Sequence, residues 1–127
     1  EELWDGGISP GTNCIDAPIV KNNKPNWLLS KLGWDFKILL FAGEGGLTSN
    51  QQEILYSLSH DKFAIKTIVI GMGGYEDIKG LAVERYSAKA GDVYLIRPDQ
   101  YVAARWHGLD EKKVRNAVQK ALGFKGS

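Results

Sequence analysis

The sequence predicts an α/β domain with a central mixed sheet, in which a βαβ unit is followed by a β-hairpin and a C-terminal helix. Three observations predict it. Two short, nearly continuous apolar runs, 34–42 and 64–70, are separated by a stretch with helical spacing, the pattern of strands covered on both faces and joined by a helix. Two further runs, 92–96 and 101–106, flank Arg97-Pro98-Asp99-Gln100, where the fixed φ of Pro98 suits the second position of a type I turn. Near the end, Val114, Ala117, Val118, Ala121 and Leu122 recur at i, i+3, i+4, i+7 and i+8, an amphipathic helical stripe.

Taken in order, residues 5–26 (DGGISPGTNCIDAPIVKNNKPN) are rich in Gly, Pro, Asn and Asp and hold no apolar period, so they read as irregular. Residues 1–25 are expected to be a lead-in, a connector from something upstream or an arm laid over the surface, and 26–127 the domain. Asn26 is placed to cap a short helix through Leu32 that Gly33 ends. The strand 34–42 follows. The loop GEGGLTS then leads into a helix in which Ser49 caps, Gln52 stands at the capping-box spacing, and Gln51, Ile54, Leu55 and Leu58 share a face. After the second strand comes a glycine turn (GMGG), then a short helix within 78–88 ended by Gly91. The hairpin and the last helix complete the chain, the helix capped by Asp110, stapled by Leu109 and Val114 and ended by Gly123. This β-α-β-(α)-β-β-α order, with a parallel pair first and an antiparallel hairpin last, is that of a thioredoxin-like domain.

The 127 residues, 43% hydrophobic and 24% charged, suit one soluble domain. Sixteen Lys and Arg against fifteen Asp and Glu leave a formal charge of +1, too little to draw a nucleic acid or an anionic membrane. The longest strictly apolar run is 38–42, far short of the roughly 20 residues needed to span a bilayer, and the chain reads as cytoplasmic. Cys14 is the only cysteine, which rules out an internal disulfide and a Cys-x-x-Cys redox pair.

Several motifs resemble chemistry and fall short of it. A strand runs into Gly71-x-Gly73, but Glu76 stands at the third glycine of a dinucleotide-binding turn, where its carboxylate would oppose a pyrophosphate. The loop 43–49 lacks the Lys-Ser or Lys-Thr of a P-loop; in thioredoxin-like folds this loop carries the redox cysteines, and here it has none. Cys14 has no basic residue within six positions to favour a thiolate. His60 and His107 show no metal spacing, and no Gly-x-Ser-x-Gly elbow marks a hydrolase. The basic residues Lys112, Lys113, Arg115 and Lys120, without interleaved aromatics, read as a solvated helix face. Of Trp4, Trp27, Trp34 and Trp106, most are expected in the core, with one or two left for a docking patch.

Residues 91–106, GDVYLIRPDQYVAARW, resemble the signature near the end of class A FAD-dependent aromatic-ring hydroxylases, the phenol hydroxylase-like flavin monooxygenases. Their form ends Leu-Val-Arg-Pro-Asp-Gly-Tyr-Val-Ala-Trp-Arg. The matching residues here are Gly91, Leu95, Ile96 for Val, Arg97, Pro98, Asp99, Tyr101, Val102, Ala103 and Arg105. The opening GGISPGTNCIDAPIV is similar to the family's Gly-x-Arg-x-Pro-x-x-Pro approach to its C-terminal domain. Gln100 replaces the usual Gly, and the Trp-Arg order becomes Ala104-Arg105-Trp106.

The resemblance implies a C-terminal thioredoxin-like domain that follows FAD-binding and substrate domains in an oxidoreductase using FAD, NAD(P)H and oxygen. It implies no catalytic, cofactor-binding or metal residue in these 127 positions, and a structural role for Gly91, Arg97, Pro98, Asp99, Tyr101 and Arg105. Arg97, Asp99 and Arg105 are expected to be joined across the hairpin. The domain's partners would be those two upstream domains or a second subunit. Two other readings stand beside it: a stand-alone, redox-inactive binding module, and an enzyme using Cys14 alone.

Overall fold

The computed structural model describes residues 3–60, 62 and 64–123. Its first regular element lies inside the segment read as irregular. Strands β1 (Pro18–Lys21) and β2 (Lys24–Trp27) form an antiparallel hairpin pairing Lys21 with Lys24. Its two-residue turn, Asn22-Asn23, has φ of +53° and +63°, the left-handed pair that matches the twist of a hairpin and that Asn tolerates better than most residues. Asn26 therefore belongs to a strand and caps nothing. The following 3-10 turn, Leu28–Lys31, starts from Trp27 without a side-chain cap, and Gly33 reverses the chain at φ +60°.

The central strand, β3 (Lys37–Phe41), begins three residues later than the sequence suggests. Trp34 and Asp35 lie in the preceding turn, where Asp35 pairs with Lys37 and Lys66. Helix α1 (Ser49–Ser59) is capped one residue before Ser49: Thr48 accepts from the Gln51 N–H at 3.0 Å, and Gln51 Oε1 accepts from the Thr48 N–H at 2.9 Å, a full capping box. Strand β4 (Lys66–Ile70) runs parallel to β3 in register from Lys37–Lys66 to Phe41–Ile70. After the glycine turn, β5 (Glu76–Asp77) pairs with β1. Helix α2 (Leu81–Tyr86) is stopped by Ser87 in a left-handed conformation, φ +47°, not by Gly91.

Strands β6 (Val93–Ile96) and β7 (Val102–Trp106) form the expected hairpin. Its turn closes with the Gln100 N–H donating to the Arg97 carbonyl at 2.8 Å, and Gln100 follows at φ +69°, the left-handed position of a three-residue hairpin loop. Helix α3 (Glu111–Ala121) is capped by Asp110, which accepts from the Lys113 N–H at 3.1 Å. Gly123, at φ +83°, ends it as expected.

The elements make two sheets, ordered β4-β3-β6-β7 and β2-β1-β5. All five residues of β3 are buried, and alternation divides them between two cores. Ile38 and Leu40 join Leu58, Val93, Leu95, Val114 and Val118 under α1 and α3. Leu39 and Phe41 join Tyr86, Tyr94 and Ile96 on the other face, where Ile8, Cys14, Ala17 and Ile19 complete the cluster. The segment before residue 26 is thus part of the wall of one core. Among the described residues no helix is long and apolar enough to cross a membrane.

Candidate functional site

The greatest concentration of buried polar chemistry lies where residues 3–17 cross the second core. Tyr94, on β6, donates its hydroxyl to the Tyr86 carbonyl at 2.6 Å and accepts from the Ile8 N–H at 3.2 Å. Tyr86, at the end of α2, donates to the Ile15 carbonyl and accepts from the Ile15 N–H at 3.1 Å. The two rings meet edge to face, 5.0 Å between centroids, a favourable aromatic geometry. Gly7 is required beneath them: a Cβ there would lie 2.4 Å from Tyr94 Oη, and its φ is +74°.

Further side chains hold the same strip of backbone. Arg105, 9% exposed, donates through one guanidinium nitrogen to the carbonyls of Gly6 and Ile8 at 2.9 and 3.0 Å. Its guanidinium also lies 4.7 Å over the Trp4 ring, within cation–π range. Arg85 bonds the Asp16 carbonyl at 2.8 Å, and Ser87 the Asp5 carbonyl at 2.6 Å. His107 stacks on Trp4 with ring centroids 4.3 Å apart, and its two nitrogens lie 2.9 Å from Asp92 Oδ1 and 2.7 Å from the Leu3 carbonyl.

This arrangement grips backbone and activates no nucleophile. Burial pushes the Cys14 thiol up to about 11, so it is protonated at neutral pH. Burial also lifts the Tyr86 phenol well above its ordinary value. The one-cysteine enzyme reading needs a thiolate and finds the opposite environment.

The residues singled out in the hairpin separate into two groups. Arg97 pairs with Asp99 and lies 5.5 Å over the Tyr101 ring, and Asp99 also accepts from the Tyr101 N–H at 3.3 Å. Pro98 shapes the turn they span. Arg105 is not joined to them; it points inward to the lead-in. Gly91 has φ +91° and donates its N–H to the Phe41 carbonyl at 2.7 Å, tying the approach to β6 onto β3. His107, which showed no metal spacing in the sequence, is a bridge. Tyr86, Tyr94, Asp92 and Trp4 escaped sequence reasoning as a group, because partners such as Ile8, 86 positions from Tyr94, lie far away in the sequence. The Gly6-Gly7 doublet was the one local signal of a close backbone approach.

The glycine turn offers a dinucleotide no seat. A Cβ at Gly74 would lie 2.2 Å from the Val69 carbonyl, so that glycine serves internal packing. Glu76 is in β5 opposite Val20. The first amides of α2, Ala82 and Val83, already donate to the Asp77 carboxylate at 2.8 and 3.0 Å. The residues here do not fit FAD. The tryptophans also differ from expectation: Trp34 is 88% exposed and Trp27 55%, while Trp4 and Trp106 are only partly buried at the core edges.

Sheet order and helix placement define a thioredoxin-like fold. Particular solved structures bear this out. The chain is similar to part of the flavin-dependent monooxygenase PieE, whose structure holds FAD and substrate, with TM-score 0.76 and 20% identity over 96% of this chain and 21% of that one. It is similar to part of aklavinone-11 hydroxylase, with TM-score 0.68 and 18% identity over 85% of this chain and 20% of that one. Xylella fastidiosa PrxQ matches over 93% of this chain and 99% of its own, with TM-score 0.66 and 12% identity. The chain thus spans about a fifth of the length of the two monooxygenases. No model of a protein family matches the sequence, and no curated protein matches it.

Proposed function

We propose that this chain is the C-terminal thioredoxin-like domain of an FAD-dependent aromatic hydroxylase, with a structural role in domain or subunit contacts. The observation that carries the reading is the fit of 96% of the chain to a fifth of a flavin-dependent monooxygenase. The signature at 91–106 supports it independently. FAD, NAD(P)H and the aromatic ring would be bound by upstream domains, and these 127 residues would hold their place against them.

The exposed Trp34 favours a second reading, a stand-alone redox-inactive module that docks a partner through an aromatic contact. One experiment separates the two. The natural polypeptide carrying this domain, isolated with an antibody against it, is expected to be several times longer than 127 residues and to show a flavin absorption spectrum. A colourless polypeptide of domain size would overturn the monooxygenase reading in favour of the binding module.

A further inference from the structure

We propose that His107 is a proton-dependent latch that fastens the start of the lead-in to the end of the β6-β7 hairpin. The latch does not rest on the monooxygenase reading. It follows from the acceptors that surround the imidazole. Nε2 lies 2.7 Å from the Leu3 carbonyl, which can only accept, and Nδ1 lies 2.9 Å from Asp92 Oδ1. The other Asp92 oxygen accepts the Lys89 N–H at 2.7 Å, which fixes the carboxyl in the turn before β6.

A neutral imidazole has one N–H and one lone pair. With Nε2–H committed to Leu3, that lone pair would face a carboxylate oxygen at hydrogen-bond distance. Hydrogen bonds at both ring nitrogens therefore need one proton more than a neutral histidine beside an ionised aspartate supplies, whichever partner carries it.

The charged groups around the ring among the described residues act in opposite directions. Asp92, with its side chain 2% exposed, favours the extra proton. Arg105, two residues back in β7, opposes it across Trp4, whose ring both side chains contact. Trp4 favours the proton, since an indole face attracts an imidazolium. On the lead-in itself, Asp5 is held through its carbonyl by Ser87. Because the latched state binds more protons than the released one, acid favours latching and a rise in pH favours release. Release frees Leu3 and Trp4 from His107, while the Ser87 bond to Asp5 and the tyrosine and Arg105 bonds to residues 6–15 remain.

The test is amide hydrogen exchange of residues 4 and 5 from about pH 5 to about pH 9, bracketing the ordinary imidazole pKa of about 6.5, with Ile8, whose N–H stays on Tyr94, as the reference. The His107 ring shift is followed by NMR in the same samples, with His60, just after α1, as the control. Protection, corrected for intrinsic exchange, is expected to fall by about tenfold with the midpoint of the His107 titration. In Asp92→Asn the side-chain amide donates to the Nδ1 lone pair while its carbonyl still accepts from Lys89, so a neutral His107 keeps the latch closed and the fall in protection on raising the pH disappears. Protection independent of pH in the native chain, a midpoint away from that of His107, or an Asp92→Asn profile like the native one would each overturn the proposal. If Asp92→Asn does not fold, agreement or disagreement of the two native midpoints decides it.

Discussion

Tyr94 shows how much one hydroxyl can organise. It satisfies one buried donor and one buried acceptor from segments 78 positions apart, Ile8 and Tyr86. Tyr94→Phe keeps the ring packing and strands both groups, and leaving buried polar groups unpaired costs about 1–3 kcal/mol. The expected outcome is a lower denaturant midpoint at unchanged slope; a loss below about 0.5 kcal/mol would mean that water replaces the bonds. Nothing near residue 94 in the sequence announces this role, since VYLI reads as a strand whatever its tyrosine touches.

The hairpin is the element in which sequence and structure agree most closely, and its one irregular residue carries a prediction. Gln100 holds φ +69°, while its carbonyl accepts the Cys14 N–H at 2.9 Å, so the backbone cannot relax without releasing the lead-in. A left-handed conformation costs a residue with a Cβ on the order of 1 kcal/mol. Gln100→Gly is therefore expected to raise stability by up to about that amount, measured by chemical denaturation, the greater freedom of unfolded glycine taking back a part. A fall in stability would show that the Gln side chain makes compensating contacts. The α1 cap illustrates a smaller limit of local reading: Thr48-Gln51 and Ser49-Gln52 have the same spacing, and only the path of the chain out of the glycine loop selects the first.

For the whole molecule, the decisive question is whether residues 8–19 unfold with the domain or peel from it. Their side chains line the same cluster as β3 and β6, and that burial couples them to global unfolding. Cys14 reports this directly. With its thiol pushed up to about 11 and buried, it is expected to react with a maleimide at neutral pH only as fast as the domain unfolds, measured in parallel by loss of tryptophan fluorescence. Labelling much faster than unfolding would identify residues 8–19 as a separately opening strap.

The sequence by itself determined the α/β class, the β3-α1-β4 unit, the hairpin around Pro98 and the amphipathic α3, because each is written in short-range periodicity and turn chemistry. It also settled that no internal disulfide can form. Tertiary structure alone decided that the Gly- and Pro-rich opening is a wall of the core. Apolar residues spaced irregularly, such as Ile8, Cys14, Ala17 and Ile19, carry no period to read, and their burial exists only once Tyr86, Tyr94 and Arg105 satisfy the backbone between them. The same reason hid the site: a chain segment held through its carbonyls by distant side chains leaves its specificity in those side chains, not in its own sequence.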